Sequence, residues 1–404
     1  MANSFVVTDL VARESLRVAH EVCSFIGTTD RQYDDSFKAN GGKHGSTLRV
    51  KYPNEYKRRQ GSRVMDVQDQ AETNGTITVA TQDGVDMRFN SAELIQSVDS
   101  GAKFDDLSKN YIVPAVKALM SGIEADYIAA STKATANLVG TAGTALTSIE
   151  VPGLARARLN QKLAPKDGNR HIQLESVAMA SIVNGSKALF HDAGQLKEAF
   201  KEGFISRNAM ADWYENDRMW TMANGADVAG EINNGTLTSG ITTLTVDGFT
   251  AALAVGSVFT VGSVYDVHPE TKVAYPHLKQ FVVTAATTTS ITFSPAIIYD
   301  TTNPRQNASG TPADGADIVP VGSASTNYVQ QLMYHKEAFQ FVTADLPIMD
   351  DAHKCVRRTQ DGLSVRVWMG SDIRNDELLM RLDILYGFAA LRPDWACRLI
   401  GAAG

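Results

Sequence analysis

An α+β fold interrupted by an all-β insertion is what three stretches of this sequence predict. Residues 104–131 carry the longest clean helical period, with Ile112, Val116, Leu119, Ile123 and Tyr127 recurring at steps of four and three on one face. Residues 225–323 are rich in Thr, Ser, Gly and Val, poor in charge, and broken into short β runs, the pattern of a small closed barrel or sandwich. Helical and mixed character flanks that segment on both sides, so the barrel is an insertion into a surrounding domain.

Taken in order, the chain begins with a short amphipathic helix. Thr8 is a good N-cap, Asp9 lies in the first turn, and Val11, Val18, Val22 and Phe25 share a face down to Gly27. Arg13, Glu14, Arg17 and Glu21 occupy the other side, and the polar, glycine-ended stretch 28–45 ties this helix loosely to the rest of the chain. Its apolar face is expected to find a surface beyond its sequence neighbours, on its own domain or on a partner.

Residues 47–52 alternate as a strand, and residues 76–81 are its antiparallel mate. The connection 53–75 is long for a hairpin, where about two to five residues is usual. It holds Lys57, Arg58, Arg59 and Arg63, then Asp66, Asp69 and Glu72. Such a loop has no local core, and its charges suit contacts with copies of itself as well as plain solvation. Residues 82–84 are read as a turn and 85–89 as the approach to the long helix.

That helix would span roughly 40 Å at 1.5 Å per residue. Asp105 and Asp106 suit its positive end, and Pro114 either kinks it or begins it. Beyond it, 154–163, 186–199 and 206–214 look helical and 177–183 reads as a buried strand. Inside the insertion the β runs are 243–246, 257–261, 280–284, 290–294 and 317–321. Residues 363–369 alternate, and near the end Met380, Leu382, Ile384, Tyr386 and Phe388 alternate against Arg381 and Asp383, giving a strand of about nine residues.

Length and composition bound the function. A chain of 404 residues exceeds a single core, so more than one domain is expected. With 44% hydrophobic and 21% charged residues it is a globular protein, and a formal net charge of -7 argues against broad affinity for nucleic-acid phosphates. Cys23, Cys355 and Cys397 are too far apart for a metal motif and too few for a disulfide framework. No signal segment or membrane-length apolar run is read, which predicts synthesis and folding in a cytoplasm.

No catalytic motif is present: no phosphate-binding loop, dinucleotide fingerprint, zinc-protease helix or nucleophile elbow. The histidines, among them His268, His277, His335 and His353, read as surface or loop residues without partners at metal-ligand spacing. The acid pairs Asp34-Asp35, Asp105-Asp106 and Asp350-Asp351 are sequence neighbours, which suits solvation or capping better than facing carboxylates. The expectation is a protein that is not an enzyme and takes no cofactor or metal.

Three stretches carry a family likeness. Asp86 to Leu94 (DMRFNSAEL) is similar to a capsid family's approach to its spine helix. VGSVFTVGSV and KQFVVTAATTTSITFSPAII are similar to consecutive strands of that family's inserted domain. Leu378 to Gly401, with Tyr386-Gly387 and Arg392-Pro393, is similar to its C-terminal segment. With the element order, these make the chain resemble the major capsid proteins of tailed bacteriophages, of Hong Kong 97-type fold, and within them the Salmonella short-tailed phage coat group with an inserted β-barrel.

The resemblance implies a plan: N-terminal arm 1–42, extended loop 43–82, peripheral domain with the spine helix 83–140, axial domain 141–224 and 328–372, inserted barrel 225–327, and a C-terminal strand 373–404 returning to the peripheral domain. It implies an icosahedral shell around double-stranded DNA bound without sequence specificity, built in a bacterial cytoplasm from many copies as hexamers and pentamers, with a scaffolding protein and a portal protein as partners and no membrane. Lys57, Arg58, Arg59 and Arg63 would pair charges across copies, and Asp9, Glu14 and Glu21 of the arm would meet a scaffold or neighbour. An encapsulin-type compartment shell shares the fold and is the alternative; a hydrolase or binding protein with a barrel insertion is the alternative from another class.

Overall fold

A computed structural model describes residues 13, 15–17, 23–31, 47–59, 61, 63–65, 67–68, 72–90, 111–185, 211–227, 229–235, 237–349, 354–360 and 363–403. In chain order the elements begin with α1 (Ser24–Thr28), β1 (Thr47–Lys51), β2 (Asn74–Thr78), β3 (Thr81–Asn90), α2 (Val113–Ala134) and β4 (Leu138–Val139). Next come α3 (Glu150–Gln161), β5 (Arg170–Leu174), α4 (Ser176–Gly185), β6 (Asp212–Glu215) and β7 (Thr221–Ala223). The insertion supplies β8 (Gly230–Ile232), β9 (Ile241–Asp247), β10 (Val258–Val267), β11 (Ala274–Ala286), β12 (Ser290–Ile297) and β13 (Asp317–Pro320). The chain ends with β14 (Asn327–His335), β15 (Phe339–Ala344), β16 (Lys354–Gln360), β17 (Leu363–Asp372), β18 (Glu377–Ala390) and β19 (Ala396–Ala403). Two compact units result, one of residues 1–50, 75–127 and 339–389, the other of 51–74, 128–338 and 390–404.

The first unit is built on the sheet β15-β18-β17-β16, with β3 added on β18. Gly84 pairs with Asp383 within the continuous β3–β18 ladder, so residues 82–84 are strand, not the expected turn. Glycine is needed there for closeness, since a Cβ would lie 2.7 Å from the Leu382 carbonyl oxygen. The terminal strand is also longer than its alternation shows, because its pairing with β3 and β17 continues past the apolar run.

On α2, Pro114 is the second residue, where its missing N–H is harmless and its fixed φ suits a helix start. The expected acidic lead-in, Asp105 and Asp106, lies outside the described residues. Val116, Met120, Ile123 and Tyr127 form the buried face. Tyr127 is the centre of an aromatic cluster, with ring centroids 4.8 Å from Phe25, 5.3 Å from Phe341 and 5.3 Å from Phe388. The buried Glu124 accepts a 2.6 Å hydrogen bond from the Phe25 amide, one of the donors that a helix start leaves unpaired. Asp30 extends this attachment by bridging Gln340, whose amide nitrogen donates to Asp30 Oδ2 at 2.6 Å. Residues 23–31 of the expected arm are therefore packed into their own unit.

One carboxylate is buried on the sheet. Asp383 accepts from Arg366 Nη2 at 2.6 Å and Arg381 Nε at 2.9 Å, and both guanidinium groups lie over Trp368. Burial alone would raise the Asp383 pKa; the hydrogen bonds from Arg381 and Arg366 overcome this and hold it below the usual carboxylate range.

The second unit contains a sheet of order β4-β19-β14-β5-β6, with β7 also paired to β14, and a closed barrel β10-β11-β12-β9-β8-β13. Helices α3 and α4 cover the sheet through a core that includes Ala155, Leu159, Met179, Ile182, Trp213 and Met333. Residues 177–183, expected as a buried strand, are part of α4. A short apolar run does not distinguish the two states, and here only Met179 and Ile182, three apart, are fully buried. Residues 212–214, the end of the segment 206–214 expected to be helical, belong to strand β6, while 186–210 lie outside the described residues.

Phe259, Phe281 and Phe293 fill the barrel at centroid distances of 5.2–5.8 Å, surrounded by Leu244, Val261, Val283, Ile291 and Ile318. The chain leaves for the barrel from β7 and returns into β14, whose Asn327 pairs with Ala223. Beyond that pair the neck continues with Asn224 N to Thr326 O at 3.1 Å and Ser325 N to Gly225 O at 2.9 Å.

Gly387 tests the packing of the first unit, because a Cβ there would stand 2.0 Å from the Thr78 carbonyl oxygen of β2. Gly387→Ala is expected to lower unfolding free energy by roughly 1–3 kcal/mol, as overpacking does. Urea unfolding reads this directly, and an unchanged midpoint would mean that β2 moves aside freely.

Candidate assembly surface

Strands β1 and β2 face each other with Thr47 Oγ1 3.3 Å from Thr78 Oγ1 and the Tyr52 amide donating to Thr73 O at 2.9 Å, an antiparallel register. The long loop between them replaces a hairpin ladder with side-chain ties. Gln68 clamps the Lys57 backbone, accepting from its N–H at 2.8 Å and donating to its carbonyl at 2.6 Å. Lys51 and Glu72 form an exposed pair at 2.8 Å, of a kind that contributes little on its own.

The four predicted cations separate here. Lys57 is half-buried and its ammonium donates to Thr301 O, 2.7 Å away on the barrel of its own chain, whereas Arg58, Arg59 and Arg63 are exposed. Arg59 also donates to the carbonyl of Val64. Beside these arginines the loop exposes apolar side chains: Val64, Met65 and Val67 are 76, 75 and 78% exposed, and Tyr56 59%. Cationic and apolar side chains thus stand near each other in the exposed part of the loop. Asp9, Glu14 and Glu21 lie outside the described residues.

The barrel is seated by polar groups that the sequence reading did not single out. Asp266 on β10 accepts from Nζ of Lys162, the residue that follows α3, at 2.8 Å and from Lys279 Nζ of β11 at 3.1 Å, with His277 Nε2 3.5 Å from its other oxygen. Burial pushes the Lys279 ammonium down to about 8, with Lys162 adding repulsion and Asp266 and Asp394 opposing it. For Asp266, burial acts upward, but His277, Lys279 and Lys162 outweigh it and hold the carboxyl far below its ordinary range. Gln280 behaves as a backbone substitute, accepting from Leu138 N and donating to Leu138 O, both at 2.8 Å. The fully buried Arg398 donates to Gly256 O at 2.7 Å and lies over Trp220. A signal was available: Asp266 and Lys279 are charges inside otherwise apolar strands, which only partners can stabilise.

Among the described residues no group of three His, Cys, Asp or Glu could hold a metal, and no helix is long and apolar enough to cross a membrane. His335 is not at the surface as expected: it is buried, edge-on to Trp395, with Nε2 3.0 Å from Asp167 Oδ1. Backbone and side-chain hydrogen bonds from Asn169 and His335 outweigh the effect of burial and bring the Asp167 carboxyl to about 2.

Residues 217–401 match the family model described as P22 coat protein, gene protein 5. Over that stretch the chain is similar to a phage coat-protein family. The matched part of the chain runs from just before β7 to β19 and so contains the whole barrel, while the loop and α2 lie outside it. A solved structure from Mycobacterium phage Che8 shares the fold at 10% identity, covering 93% of this chain and 90% of that one with a TM-score of 0.51. Also similar are the capsid of Ralstonia phage GP4 (8% identity, 89% and 84% covered, TM-score 0.45) and of cyanophage P-SCSP1u (12%, 89% and 84%, 0.44). No curated protein matches. The fold is an α+β capsid fold with an inserted barrel.

Removing the Asp266 carboxylate leaves two buried lysines facing each other, so Asp266→Ala is expected to destabilise by about 3–5 kcal/mol. Lys279→Met leaves Asp266 its partner Lys162 and is expected to cost less than about 1 kcal/mol. Thermal unfolding of both variants checks the pair; equal losses would contradict the shared-carboxylate seat.

Proposed function

We propose that this chain is the major capsid protein of a tailed phage and builds an icosahedral head around double-stranded DNA, as hexamers and pentamers assembled in the bacterial cytoplasm with a scaffolding protein and a portal. The observation that carries this reading is the loop surface, where exposed Arg58, Arg59 and Arg63 stand beside exposed Val64, Met65 and Val67. A subunit with such a loop gains by placing it on a like copy, and head-to-tail contacts of this kind close into rings. Each contact can be weak because repetition multiplies it. The acids Asp9, Glu14 and Glu21 belong to the arm proposed to meet a basic scaffold or neighbour. A formal charge of -7 suits a container whose lining must not adhere to packaged DNA.

Electron microscopy of the purified protein, with and without the triple substitution Arg58→Glu, Arg59→Glu and Arg63→Glu, tests this. The wild type is expected to form shells, and the variant to keep the monomer's melting temperature while losing most particles. Normal particles from the variant would remove the loop from the contact, and a wild type that never assembles would remove the proposal.

A further inference from the structure

The base of the extended loop is not packed down. Beneath it lies an open cleft of about 950 Å³, walled by Tyr52, Asn54 and Tyr56 on the loop side and by Val267, Ile298 and Asn307 on the barrel side. With that space unfilled, side-chain packing cannot fix the direction in which the loop leaves the body, and the contacts at the cleft's edges must do so. Among the described residues these include three hydrogen bonds: Tyr52 Oη donates to Leu391 O at 2.8 Å, Lys57 Nζ to Thr301 O at 2.7 Å, and Arg305 Nη2 to Thr73 Oγ1 at 2.7 Å. Two of the three end on one segment of the barrel, residues 298–307, and they take hold of opposite arms of the loop.

That segment is built to be stiff. Asp300 Oδ1 accepts from the Thr302 amide and hydroxyl, both at 2.8 Å, and Asn303 Oδ1 accepts from the Arg305 amide at 2.9 Å. Asn307 closes its base, accepting from Ile298 N at 3.0 Å and donating to Ala296 O at 2.9 Å, and Lys272 donates its ammonium to Pro304 O. Side chains that satisfy nearby backbone groups in this way fix a loop's shape without a core. Residues 51–74 also cluster with the barrel-bearing unit, not with the unit that holds most of β1 and β2.

We infer that barrel segment 298–307 is a strut that sets the direction of the extended loop through Arg305 and the Thr301 carbonyl, and that the barrel thereby helps to fix the curvature of the shell. This rests on the proposed role of the loop in contacting another copy. A lever of about ten residues reaches at most roughly 30 Å, and over that reach a tilt of about 10° at the base displaces the tip by about 5 Å, beyond hydrogen-bond tolerance. Arg305 and Thr73 act as positioning residues, and neither needs to touch the neighbour.

Arg305→Ala and Thr73→Val remove the same contact from its two sides, and Thr73→Ser keeps it. In unassembled protein, the Tyr52 and Lys57 amides are expected to exchange hydrogen about tenfold faster in the first two variants. Strands β10 to β12 should be unchanged, and Thr73→Ser should match wild type. In assembled protein, Arg305→Ala and Thr73→Val are expected to broaden or shift the particle diameter seen by electron microscopy, with Thr73→Ser again restoring it. Unchanged exchange in both variants overturns the strut, and faster exchange with an unchanged diameter overturns its role in curvature. A wild type that forms no particles overturns the assembly reading, while the exchange measurement still decides the strut.

Discussion

The chain has to come back to where it left the sheet: Ala223 and Asn327 pair across β7 and β14, and everything between them is bound by that return. A long excursion with fixed, adjacent ends cannot lie open on a sheet edge, since unpaired strand groups invite wrong partners. Closing the strands into a barrel removes those edges. A barrel on a two-strand neck would nevertheless swing, and the buried polar groups at its seat prevent this. Asp266 between two lysines, Gln280 on the Leu138 backbone and Arg398 on Gly256 each tie barrel to sheet or helix at a defined point.

Such a seat is specific rather than cheap. Desolvating an ion pair offsets most of its Coulomb gain, so the Asp266 cluster adds less to stability than to uniqueness of position. One carboxylate serving two buried lysines has few alternative geometries. That fixed position is what allows barrel loop 298–307 to support the base of the extended loop over an unfilled cleft. The exposed arginines and apolar side chains at the loop's far end then have a defined starting direction.

Much of this was legible in the residues, in proportion to how local the cause was. The helical period around Ile123 and Tyr127 and the alternation from Met380 to Phe388 both correspond to real elements, because each buries one face. The composition change near Gly225 marks the neck, because a charge-poor Thr and Val stretch can only bury itself as strands. What could not be read has non-local causes. Gly84 looks like a turn until Leu382 is seen to crowd it, and Val177 to Val183 is too short and apolar to choose between helix and strand. Strand β8 is only three residues long and exists because the barrel needs closing. Lys57 reads as one of four equivalent cations, yet the barrel claims it and leaves the three arginines exposed. Arg305 and Thr73 lie hundreds of residues apart, so nothing in their own surroundings announces the contact.

The loop thus has a base held by its own chain and a tip proposed to meet another. The most direct measurement is a cryo-electron microscopy reconstruction of the assembled shell at side-chain resolution. It should show Lys57 and Thr73 still on the barrel of their own subunit, with Arg58, Arg59 and Arg63 against acidic or carbonyl groups of a neighbouring copy. A shell in which those arginines face solvent, or in which the Lys57 and Thr73 contacts pass to a different subunit, would contradict it.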